Sequence, residues 1–186
     1  IDPYDLRMKE LAIMALGEFG GEGVPEALRK LLDGLTPTEE SNAVHSELLI
    51  AIHRRGNPEP LETFLKKAEF AAEQALKGEA KEEGCSLRLT QGRILSRVGR
   101  RKEALAAYLS IIEAVERHDL DQVRKDYLST VFYNLACLSA LDGERAKAIE
   151  WLERAVKADF DRAWIRLDKE LDSIREEPGY LKLLQE

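Results

Sequence analysis

With 186 residues, 44% apolar and 34% charged, the chain is long enough to bury a core without disulfide staples, and its 12 Gly and 6 Pro exclude collagen-like and low-complexity classes. A formal net charge of -7 opposes phosphate backbones and anionic lipid, so no nucleic acid and no membrane is expected as a partner. Leu, Ala, Glu, Lys and Arg dominate, and because these residues lose little rotamer freedom in a helix, an all-α fold is expected.

Apolar residues recurring at three- and four-residue spacing predict helices near 4–19, 25–34, 38–55, 59–77, 82–98, 101–117, 121–141 and 144–158, a short turn near 168–175 and a last helix near 178–185. Pro25 suits a first helical turn, where its missing N–H is no loss. Thr36-Pro37-Thr38-Glu39 offers a helix start, while Asn57-Pro58 and His118-Asp119-Leu120-Asp121 punctuate later segments. No run of 18 apolar residues is present to span a bilayer and no basic-then-apolar leader opens the chain, so a cytoplasmic location is expected. A start at Ile1-Asp2-Pro3 without Met is expected of a segment taken from a larger polypeptide.

One pattern occurs four times: a Gly at a turn, followed five, nine and twelve residues later by small or apolar residues. Gly23 leads to Leu28, Leu32 and Leu35; Gly56 to Leu61, Leu65 and Ala68; Gly99 to Ala104, Tyr108 and Ile111; Gly143 to Ala148, Leu152 and Ala155. The glycines lie 33, 43 and 44 residues apart, in the range of helical repeat units. A hairpin that cannot bury its apolar stripe alone does so by stacking on its neighbours. The expected architecture is an α-solenoid of about four antiparallel helix hairpins plus a C-terminal cap. Its clearest hairpin carries Leu135, Ala136, Leu138 and Leu141 before Asp142-Gly143, and Ala148, Ile149, Leu152, Ala155 and Val156 after it.

Phe132-x2-Leu135-Ala136-x2-Ser139, then Gly143, Ala148-x3-Leu152 and Ala155, resembles a tetratricopeptide (TPR) repeat, with Ser139 in place of an aromatic residue and Phe160 where a Pro usually ends the unit. Gly92, Leu95, Gly99, Ala104 and Tyr108 resemble it too, with Gln91 where Leu is expected. The tail from Trp164 through Asp168, Leu171, Ile174, Pro178, Tyr180 and Leu183-Leu184 is similar to the segment that closes many bacterial TPR arrays. Leu11 to Gly20 followed by Val24-Pro25-Glu26-Ala27-Leu28 is similar to short bacterial HEAT repeats, repeated more weakly from Ala51 to Pro58. These resemblances imply HEAT-like repeats over 1–57, TPR-like repeats over 58–160 and a cap over 161–186, packed as one continuous superhelix.

Little in the sequence points to catalysis. His45 and His53 lack an HExxH pattern or an acid at ligand spacing, and Cys85 and Cys137 read as small packing residues. His118-Asp119 is a dipeptide used by some metal phosphohydrolases, but that chemistry needs further histidines. No phosphate loop, dinucleotide fingerprint or nucleophile elbow occurs, so neither enzyme activity nor a cofactor or metal is expected.

The one unusual charge feature is a run of six cations, Arg88, Arg93, Arg97, Arg100, Arg101 and Lys102, between Gly84 and Lys102 without an acid. Arg93 and Arg97, four apart on one helix, share a face. In TPR arrays the first helix of each hairpin lines a concave groove. The resemblance therefore implies a groove with Arg93 and Arg97, and with Thr130, Tyr133, Asn134, Cys137 and Leu141 from the next repeat. Two guanidiniums can clamp the carboxylate of an acidic peptide. A plainer reading is that Arg97, Arg100 and Arg101 offset the negative end of the helix dipole and solvate the turn. The expected function is a binding scaffold for a protein or peptide partner, an acidic one included. Its alternatives are a module that docks missing domains of the same chain or a second copy, and a metal-dependent hydrolase using His118 and Asp119.

Overall fold

A computed structural model describes residues 3–35, 42–118 and 124–185, and among them every regular element is helical. The elements run α1 Pro3–Phe19, α2 Val24–Asp33, α3 Asn42–Arg54, α4 Glu59–Lys77, α5 Lys81–Arg97, α6 Arg101–His118, α7 Arg124–Leu141, α8 Arg145–Lys157, α9 Arg162–Leu167, a 3-10 helix Lys169–Ile174 and α10 Pro178–Leu183. The protein is all-α. The described residues divide into two compact units, one reaching to Phe70 and including Arg97–Gly99, the other formed by Ala71–Ser96 and the chain from Arg100 onward.

In the first unit α1 and α2 both pack on α3. Ile13, Leu28, Val44, Leu48, Ala51 and Ile52 form its core, flanked by half-buried Val24, Leu32 and Leu35. Close approach of α1 to α3 depends on Gly17, where an added Cβ would lie 2.9 Å from that of Ala51. Polar ties reinforce the contact: Arg54 pairs with Glu18 at 3.0 Å, and Arg55 Nη2 donates to the Leu16 carbonyl at 2.7 Å. Pro25 stands in the first turn of α2, and Lys30 pairs with Glu26 one turn earlier at 2.9 Å.

The second unit is organised around α7. Its most extensive packing is on α8, joined through a turn at Gly143 with φ +77, and Glu144 N closes that turn on the Ser139 carbonyl at 2.8 Å. Only a residue without Cβ takes this conformation without strain. Gly99, φ +81, and Gly56, φ +85, repeat it at the corresponding positions of the pattern, whereas Gly23 is right-handed and serves as the N-cap of α2. Ala148, Leu152 and Ala155 of α8 are all fully buried.

After α8 the chain turns through Asp159, φ 68, with Phe160 N bonded to the Ala155 carbonyl at 3.0 Å, and Phe160 then stacks on Tyr133 at 4.2 Å between ring centroids. Phe160 thus covers one face of the Tyr133 ring. α9 was not among the expected helices. Asp161 caps it by accepting from Ala163 N at 2.8 Å, and Asp168 caps the 3-10 helix in the same way from Glu170 N at 2.8 Å.

Ile165, Leu171 and Ile174 are fully buried against Ala136, Cys137, Ala140, Ala148 and Leu152, and each such burial contributes about 1.5–3 kcal/mol. Arg175 holds the segment's backbone, donating to the carbonyls of Arg166 at 2.8 Å and Asp168 at 3.0 Å, the latter also accepting from Leu171 N at 3.4 Å. Tyr180 Oη donates to the Ile165 carbonyl at 2.9 Å. Trp164, the first residue of the tail that resembles a capping segment, is 64% exposed, and Ile165 is the residue of α9 that turns inward. Leu141, expected in the packing stripe of α7, is also exposed at the helix end.

Candidate functional site

Tyr108 is the best-buried aromatic side chain of the second unit. It projects from α6 across α5 at Gly92, where a Cβ would come within 2.4 Å of its ring. The absence of a side chain at Gly92 lets the ring through. Its hydroxyl is buried without a hydrogen-bond partner among the described residues. Burial pushes the phenol far above its usual range; Arg93 pulls in the opposite direction, while Cys137 and Glu170 add to the rise.

On α7, Tyr133 and Cys137 lie one turn apart and both meet Asp168. The Tyr133 hydroxyl donates to Asp168 Oδ2, and the Cys137 thiol donates to the same oxygen at 3.7 Å. Burial is the first cause raising the Tyr133 phenol, followed by Cys137 and the bond to Asp168. The thiol of Cys137 is likewise raised, first by burial and then by Asp168 and Glu170. Both groups stay protonated at neutral pH, so as placed Cys137 is not a thiolate nucleophile. Its Sγ and one carboxylate oxygen each from Asp168 and Glu170 lie within 4.8 Å of one another.

The residues expected in a groove have distinct surroundings. Arg93 is exposed and makes no ion pair among the described residues. Thr130 and Asn134 are half-buried on α7, Cys137 is buried and Leu141 is exposed. Arg97 belongs to the first unit, where it pairs with Glu47 and its carbonyl accepts from Arg54 at 3.4 Å. Of the other cations in the run, Arg100 pairs with Glu103 at 2.6 Å, Arg101 with Asp142 at 2.9 Å, and Arg88 bonds Gln91 at 3.3 Å.

His45 sets its ring edge against Phe64 at 5.4 Å, and burial lowers its pKa below the ordinary imidazole value. Asp119 and the side chain of His118 lie outside the described residues. Sequence reasoning overlooked Tyr108, Asp168 and Glu170 as site residues. Gly92 placed before an aromatic-bearing helix, and the Asp-x-Glu following α9, were the available signals.

Comparisons of the chain with protein-family models, curated proteins and solved structures return no match.

Proposed function

We propose that this chain is a helical-repeat binding module, a HEAT/TPR-type α-solenoid whose α5 and α7 present a surface to a protein or peptide segment carrying carboxylates. The observation that carries this reading is Arg93. In a run of six cations, Arg97, Arg100 and Arg101 are consumed by acidic partners within the chain, whereas Arg93 is exposed without an ion pair among the described residues. A guanidinium without an ion pair among the described residues offers a two-pronged donor to a carboxylate. Half-buried Thr130 and Asn134 on α7 supply further polar contacts, and exposed Leu141 an apolar one. Arg97 contributes to the fold instead, through Glu47. Binding of this kind needs no cofactor, and the rigid helices lower the ordering cost of association.

Peptide-display selection on the purified chain tests the proposal. Acid-rich peptides should be enriched, and Arg93→Glu should weaken them at least tenfold while circular dichroism stays unchanged. No enrichment, or affinities indifferent to Arg93→Glu, would reject the carboxylate-binding surface. If instead mass by light scattering rises with protein concentration, self-association becomes the better reading.

A further inference from the structure

We infer that Cys137, Asp168 and Glu170 form a binding site for a zinc-type divalent cation, with Tyr133 as the residue that positions its carboxylate ligand. The inference is independent of the binding-module reading.

Geometry is the first argument. A thiol sulfur and two carboxylate oxygens come from two separate elements yet lie within 4.8 Å of one another, with Cys137 Sγ 3.7 Å from Asp168 Oδ2. Metal–sulfur and metal–oxygen bonds of about 2.3 and 2.1 Å in a tetrahedral arrangement place donors about 3.4–3.6 Å apart. Small rotamer adjustments therefore suffice.

The carboxylate at the centre is already oriented. Asp168 Oδ1 accepts from Glu170 N at 2.8 Å, which leaves Oδ2 turned toward the thiol, and the Tyr133 hydroxyl donates to that same oxygen. Outer hydrogen bonds of this type fix metal ligands and tune their basicity.

Tyr108 is the independent observation. Its side chain is 1% exposed, its hydroxyl has no hydrogen-bond partner among the described residues, and Cys137, Glu170 and Arg93 all act on that hydroxyl electrostatically. A buried hydroxyl left unpaired is costly. A water on the open fourth position of the ion would give it a partner. Thiolate plus carboxylates is a donor set suited to zinc and cobalt rather than to calcium or magnesium, which favour oxygen alone. On binding, the metal–sulfur bond replaces the S–H bond and the proton leaves to solvent, which leaves the ion with three anionic ligands and Arg93 within electrostatic reach of the same hydroxyl.

Cobalt titration of the reduced, anaerobic protein reads the thiolate directly. The expected result is a thiolate-to-cobalt band in the near ultraviolet that saturates at one equivalent and is displaced by zinc. Cys137→Ser should abolish it, Cys85→Ser should leave it intact, and Glu170→Gln and Tyr133→Phe should each weaken affinity at least tenfold. Glu170 is exposed, so its variant should retain the fold even if Cys137→Ser does not. No charge-transfer band in folded wild type, a band that survives Cys137→Ser, or affinity indifferent to Glu170→Gln would each overturn the assignment.

Discussion

The hydroxyl of Tyr133 donates to the carboxylate of Asp168, tying the middle of α7 to the point where α9 ends and the 3-10 helix begins. Removing the hydroxyl in Tyr133→Phe keeps the ring stacked on Phe160 but leaves Asp168 with one donor fewer. A bond to a charged group contributes about 1.5–3 kcal/mol. The urea midpoint of Tyr133→Phe should fall accordingly, with an unchanged slope.

Gly92→Ala should be costly for a reason specific to one neighbour. The new Cβ would stand 2.4 Å from Tyr108 Cε1 and 2.7 Å from Cζ, so the ring or α5 must shift. Overpacking of this sort costs about 1–3 kcal/mol. In a double-mutant cycle, Gly92→Ala should be markedly less destabilising on a Tyr108→Leu background, and additive losses would show that the clash is not its cause.

Gly143→Ala separates backbone strain from packing. Nothing lies within 4 Å of a Cβ there, but φ is +77, a conformation that costs an L-residue about 1–2 kcal/mol. Thermal unfolding should show that loss, and Gly143→Asn should recover part of it because Asn tolerates the left-handed region better.

Stability should decline on mild acidification through His45. Burial lowers its folded pKa below the ordinary value of about 6.5, so between the two values the unfolded chain binds more protons than the folded one. The stabilising contribution is full above the unfolded value and is lost as pH falls toward the folded one. Replacing His45 with Gln should flatten the stability profile as pH falls below about 6.5. Denaturant titrations at several pH values give the measurement.

Most helices were legible because their signals are local. Gly56, Gly99 and Gly143 at turns, acidic first turns such as Glu82-Glu83 in α5, and apolar residues at three- and four-residue spacing act within a few positions of where they stand. α9 escaped because it has six residues, and its strongest sign, the Asp161 cap, is also an ordinary turn residue. For the candidate site, α7 was readable as far as Tyr133 and Cys137.

What the sequence determined by itself is the all-α class and the approximate place of the longer helices, because backbone propensity, capping and periodicity are properties of neighbouring residues. The tertiary structure alone decided that Arg97 meets Glu47 while Arg93 stays exposed, that Ile165 rather than Trp164 turns inward, and that Asp168 reaches Tyr133 and Cys137 across more than thirty residues of chain. Such pairings depend on the rotation of one helix against another. A residue's own neighbours in sequence do not encode that rotation; the packing of side chains such as Leu171, Ile174 and Tyr108 does.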